Sequence, residues 1–226
     1  MDLSTFTPSS ALVTVILIAL APFIAVMVTS FTKIVVVLSL IRNALGLQQV
    51  PPNIVLNGLA LILSLYVMYP TMQSMQAAVE SPTHAGAEGQ DATVPGGSDA
   101  LFRTADKAKE PLRAFLLEHS NPDERAFFQR TQARVAAKSG TKPAAATDFV
   151  VIVPAFVVKE LTAAFQIGFL IFLPFLVIDL VVSNILMAMG MMMLSPVTIS
   201  LPFKLLLFVL VDGWVNISHG LVLSYT

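Results

Sequence analysis

FVVIVPAFVVKELTAAFQIGFLIFLPFLVIDLVVSNILMAMGMMML, residues 149–194, carries Lys159, Glu160 and Asp179 as its only charges. At 1.5 Å per residue a straight helix over this stretch would reach about 69 Å, roughly twice the hydrocarbon core of a bilayer. Pro174 stands near its centre, so the pattern predicts a kinked rod or a tight hairpin. Ser195-Pro196 and Leu201-Pro202 punctuate the next stretch, and a last apolar run from Phe203 ends near Tyr225.

The same character returns at the other end of the chain. Ala11 to Val28 is apolar apart from Thr14, with Pro22 inside it, and no Lys or Arg precedes Lys33. A cleaved leader needs a basic start and a small-residue cleavage site, so this run is read as a retained membrane segment. Thr29-Ser30-Phe31-Thr32-Lys33 interrupts it, and Ile34 to Ile41 resumes it. Arg42 to Asn53 reads as a turn, because Pro51-Pro52 lacks two N–H groups and disfavours helix. Ile54 to Tyr69 then forms a run slightly short of the ~20 residues needed to cross hydrocarbon, with Tyr66 and Tyr69 at its far, interfacial end.

Between the two apolar blocks lies a polar insert. Of the 27 charged residues in 226, four fall within 1–80, five within 149–226 and eighteen within 81–148. The expected organisation is an N-terminal apolar helical hairpin over 1–80, the insert over 81–148, and C-terminal apolar helical hairpins with a Met-rich loop over 149–226. Ser81 to Ser98 is rich in Gly, Pro and small polar residues and reads as a flexible linker. Leu101, Ala105, Ala108, Leu112 and Phe115 have helical spacing, with Pro111 expected to break or kink it. Asn121-Pro122-Asp123-Glu124 reads as an N-cap, an N1 proline and an acidic first turn, and Lys138 with Gly140 closes that helix.

Overall 56% of residues are hydrophobic and 12% charged, with net charge −1. A soluble domain has roughly 45–50% apolar and about 25% charged residues, so an ordinary cytosolic enzyme is excluded. The near-neutral charge argues against nucleic-acid binding. The fold class read from these patterns is all-α: membrane-associated helical hairpins with proline kinks. Lys33 and Arg42 in the first turn, with Lys204 near the second, place the N-terminus and the insert outside; the insert is too long for its own charges to count.

Zero cysteines removes disulfides, thiol catalysis and thiolate metal sites. No His-Glu-x-x-His, Gly-x-Ser-x-Gly or Gly-rich phosphate loop occurs, and His84, His119 and His219 are scattered. No catalytic residue, metal or cofactor is expected. Lys159, Glu160, Asp179, Lys204 and Asp212 are costly inside apolar segments and are expected to pair, on other helices or other subunits. A proton relay is the alternative for them. Lys159 and Glu160 are consecutive, about 100° apart on a helix, and cannot share a face. Ala164-x-x-x-Gly168 is a small-residue step that lets helices approach closely.

Met187, Met189, Met191, Met192 and Met193 are half of the ten methionines. Met re-packs around different shapes. Ordinary filler is the plain reading. The place of Met191, Met192 and Met193 between Gly190 and Ser195-Pro196, a loop or helix end with Met187 and Met189 just upstream, favours a special role, a ring of thioethers that seals a pore and yields to a passing chain.

Thr29-Ser30-Phe31-Thr32-Lys33, Leu40-Ile41-Arg42-Asn43-Ala44-Leu45-Gly46 and Gln48-Gln49-Val50-Pro51-Pro52-Asn53 resemble the N-terminal signature of the FliP/SctR family. So do, in order, Pro154-Ala155-Phe156, Lys159-Glu160-Leu161, Ala164 to Phe169, Pro174-Phe175, Ile178-Asp179, Gly190 to Met193, Ser200 to Lys204 and Asp212-Gly213-Trp214. The resemblance covers both apolar blocks and leaves out the insert. It implies a core subunit of the export gate of a flagellar or virulence type III secretion apparatus in the bacterial inner membrane. Several copies, five in the usual description, would assemble as a ring-like or helical homo-oligomer with smaller export-gate membrane proteins, around a conduit for unfolded secreted proteins. It assigns Met191, Met192 and Met193 to the pore gasket. In this family apolar hairpins bury against one another rather than simply spanning lipid. The lack of a recognisable leader favours the virulence branch. A proton-coupled secondary transporter and a passive scaffold are the rival readings.

Overall fold

The computed structural model describes residues 8–47, 49–80, 97–191 and 193–225, so most of the predicted linker over Ser81–Ser98 lies outside the described residues. The described residues form eight helices and no strand: α1 Pro8–Met27, α2 Phe31–Ala44, α3 Asn53–Glu80, α4 Gly97–Glu118, α5 Pro122–Ser139, α6 Phe149–Ala188, α7 Pro196–Leu210 and α8 Gly213–Leu223. They divide into two compact units, one of residues up to Ser64 with those from Glu160 onward, the other Leu65–Lys159. Both boundaries fall inside long helices, α3 and α6.

The first unit is organised around α2. Ile34, Val37, Leu38, Ile41 and Ala44 recur at three- and four-residue steps and are all buried, so one face of a short helix supplies much of the core. Leu56 and Ala60 of α3, Ala164 and Phe175 of α6, Phe208 of α7 and Leu221 of α8 complete that core. Close approach is set by Gly168, which packs on Leu40: a Cβ there would lie 2.3 Å from Leu40 Cδ1 and 3.1 Å from its Cβ. Gly168→Ala is expected to cost about 1–3 kcal/mol by overpacking. Chemical unfolding in detergent checks this, and adding Leu40→Ala should recover part of the loss.

The predicted interruption at residues 29–33 is a 71° bend between α1 and α2. The hydroxyls of Thr29 and Thr32 both donate to the Val26 carbonyl, at 3.4 and 3.1 Å. They satisfy an acceptor that the end of α1 would leave open. Ser30, also buried, donates to Ser64 Oγ of α3 at 3.0 Å. A second bend of 59° separates α7 from α8 at Val211–Asp212.

The prolines behave differently from the local expectation. Pro22, Pro70, Pro111 and Pro202 lie inside helices, and α6 runs unbroken through Pro174. Of the rod and the hairpin predicted over 149–194, the rod is observed. The run expected to stop at Tyr69 continues through Pro70 to Glu80, giving a helix of 28 residues. Pro111 does not end the helix there either. One proline removes one backbone hydrogen bond, and the buried Phe115 and Leu116 in the next turn hold α4 together. Asn53–Val79, with mean hydropathy 1.7, and Phe149–Ala188, with 2.5, are each long and apolar enough to cross a membrane; the two bent pairs qualify jointly.

In the second unit, Phe115 of α4 meets Phe156 of α6 with ring centroids 5.8 Å apart, and Arg113 lies over the Phe149 ring at 5.0 Å. Val151, Ile152 and Ala155 are buried, as are Met68, Leu116 and Ala136. The predicted start of α5 is observed: Asn121 Oδ1 accepts from the Asp123 N–H at 2.9 Å, with proline next in the chain. Gly140 closes it at φ 66°, a left-handed conformation that glycine adopts without cost.

Candidate functional site

The apolar helices of the first unit enclose two charged clusters, each held by residues far apart in the chain. Glu160 sits on the face of α6 that turns inward, with Ala164 and Gly168 one and two turns on, and all three are buried. Its carboxylate lies 3.5 Å from the Lys33 ammonium, and both side chains are at most 5% exposed. The Tyr225 hydroxyl donates to the same carboxylate oxygen, and the Lys33 ammonium stands 3.5 Å over the Tyr225 ring centroid. One cation is therefore shared by a carboxylate and an aromatic face, while the phenol fills a second acceptor position of the carboxylate. Tyr225 lies beyond α8. Burial first, and then the adjacent Glu160 charge and hydrogen bond, push its phenol well above the ordinary tyrosine range, so it remains a donor.

The second cluster joins α6 to α7. Lys204 Nζ lies 2.6 Å from Asp179 Oδ2, and Ser200 Oγ, one turn before Lys204, donates to Asp179 Oδ1 at 2.5 Å. Lys204 also donates to the Ala44 carbonyl at 3.3 Å, where the last turn of α2 leaves acceptors open. Its side chain is 3% exposed, that of Asp179 31%. Near the same turn Arg42 donates to the Pro51 carbonyl and to Asn53 Oδ1.

Of the five charges singled out in the sequence, Glu160, Asp179 and Lys204 are thus brought to partners within the chain. Lys159 is half-buried on another face of α6, as the 100° step requires, and Asp212 is exposed at the α7–α8 corner. Among the described residues neither joins these clusters. Lys33, Ser200 and Tyr225 were missed as partners. Lys33 had a signal: it lies four and eight residues before Val37 and Ile41, on the stripe that faces the core. Tyr225 and Ser200 carried none, because their roles depend on contacts between distant helices.

The methionines occupy the end of α6. Gly190, at φ 74°, stops the helix in a Schellman arrangement: Met191 N–H donates to the Leu186 carbonyl at 2.9 Å and Gly190 N–H to the Met187 carbonyl at 3.1 Å. Met187, Met189, Met191 and Met193 are all exposed, Met193 almost completely, and Met192 lies outside the described residues. Among the described residues no three His, Cys, Asp or Glu side chains converge as metal ligands would.

A family model described as the FliP family matches residues 13–221. The chain is 49% identical over 218 residues to "Pathogenicity-related ORF2" of Xanthomonas campestris pv. glycines, covering 96% of each. It is 50% identical over 213 residues to "Yop proteins translocation protein R" of Yersinia pestis, covering 92% of each. It is 47% identical over 218 residues to "Hypersensitivity response secretion protein HrcR" of Ralstonia nicotianae, covering 96% of this chain and 97% of that one.

Proposed function

The chain belongs to the FliP family, and on that premise we propose that it is a core subunit of the export gate of a type III secretion apparatus in the bacterial inner membrane. The observation that carries this reading is the match along nearly the whole chain to proteins named for translocation and secretion. The helices long and apolar enough to cross a membrane support the location. The role is structural: copies of the chain, with smaller membrane proteins of the same apparatus, enclose a passage for unfolded secreted proteins. The polar insert faces the periplasm.

Met191, Met192 and Met193 close that passage. The Gly190 cap supports this assignment, because it ends α6 abruptly and leaves Met191 and Met193 exposed. Flexible thioethers seal around changing shapes better than branched side chains do. Replacing all three with Ala is expected to leave the protein folded and to raise ion leakage severalfold, read as loss of membrane potential in cells making the complete apparatus. A tight membrane with unchanged secretion would overturn the gasket.

A further inference from the structure

Nine charged residues lie outside the insert. Lys33 pairs with Glu160 and Lys204 with Asp179, and Arg42 is held by Pro51 and Asn53. Asp2 and the Glu80 side chain lie outside the described residues. That leaves Lys159 and Asp212, whose charged ends join no ion pair or hydrogen bond among the described residues. They have opposite sign, and each is costly on an apolar surface.

Their surroundings fit each other. Asp212 stands in a left-handed conformation, φ 48° and ψ 46°, and its side chain does not cap α8. Asparagine and aspartate tolerate this geometry better than most residues, but among the described residues no ion pair or hydrogen bond repays the charge held there. Exposed Leu210, Val211 and Val215 flank it. It lines an open cavity of about 650 Å3 whose other lining residues, among them Leu45, Val55, Phe208 and Trp214, are apolar or glycine. Apolar walls with one carboxylate suit an occupant with an apolar stem and a cationic head, which describes a lysine side chain. Lys159 is half-buried beside exposed Val158 and Thr162 on α6.

We propose that Lys159 of one copy enters the Asp212 cavity of a second copy of this chain. The inference rests on the homo-oligomer in the function proposed above. The contact uses two different patches, so it is head-to-tail, the kind that closes into rings or runs on as a helix. Every interior copy then gives one lysine and receives one, and neither charge remains over. That balance favours a second copy over a different protein as the occupant.

The chain contains no cysteine, so an introduced thiol is the only one in each copy. Lys159→Cys and Asp212→Cys are placed in separately tagged full-length copies and made together in bacteria with the partner export proteins. A short thiol-to-thiol cross-linker is then added to the membranes. The expected product is a dimer carrying both tags, absent when either variant is made alone. Charge reversal gives the second readout: Lys159→Asp or Asp212→Lys singly should lower oligomer yield on native gels by about tenfold, and the two combined should restore it.

No mixed dimer, with the unmodified chain still oligomeric, overturns this pairing and leaves the proposed function standing. Cross-linking of either thiol to a different protein overturns it as well, since the cavity then has another occupant. An unmodified chain that stays monomeric beside its partners overturns both.

Discussion

Glu160→Ala is expected to leave little folded protein in the membrane. The substitution takes the carboxylate from the Lys33 ammonium, whose side chain is 5% exposed, and from the Tyr225 hydroxyl that donates to it. Breaking a buried ion pair by removing one partner costs about 3–5 kcal/mol, against a total of roughly 5–15 kcal/mol for a whole domain. Because both charges are equally deep, Lys33→Ala should cost a similar amount. Glu160→Gln should fall between, since the amide still accepts from Tyr225 but carries no charge. The double variant Lys33→Met with Glu160→Met should recover most of the loss, because apolar pairs of similar volume often equal or exceed buried ion pairs. Unfolding curves in detergent for these variants test the argument. Wild-type stability for Glu160→Ala would refute it, and failure of the double variant would show that the cluster matters for more than cancelling charge.

Asp179→Ala is the second large effect, with an asymmetry that the first lacks. Lys204 is 3% exposed and among the described residues would keep only the Ala44 carbonyl, so losing its carboxylate should cost about 2–4 kcal/mol. In the reverse case, Lys204→Met leaves Asp179, which is 31% exposed and retains Ser200. Water or a neighbouring donor can then satisfy the carboxylate, and the cost should be visibly smaller. Equal losses for the two substitutions, measured by the same unfolding assay, would mean that Asp179 is covered by another molecule in the membrane.

Much of the architecture was legible because it follows from local chemistry. Thr29-Ser30-Phe31-Thr32 announced a break, since hydroxyls next to apolar runs compete for backbone acceptors. Asn121-Pro122 and Gly140 bounded α5 for capping reasons that need no distant contact. The prolines misled for a physical reason as well. Each cost is local, about one hydrogen bond, whereas the packing that outweighs it comes from elsewhere. Pro111 therefore reads as a breaker although α4 continues through it; Tyr69 reads as an end for a different reason, its interfacial aromatic ring, and α3 continues past it to Glu80. The charges divided along the same line. That they needed partners could be read from their apolar neighbours, but not that Glu160 meets Lys33 and Tyr225, because those contacts join three segments remote in sequence.

That remoteness bears on biogenesis. The ribosome releases the Lys33 ammonium early, its carboxylate much later, and the phenol among the last residues described. The segment around Lys33, which would ordinarily fold as it emerges, must here wait in a greasy stretch without that carboxylate until α6 and the residues after α8 are made. The first unit, which needs residues from Glu160 onward, therefore completes late, and a translation product halted within the insert should be recognised and degraded by membrane proteases, read as a shortened half-life in pulse-chase labelling, instead of maturing into a half-gate.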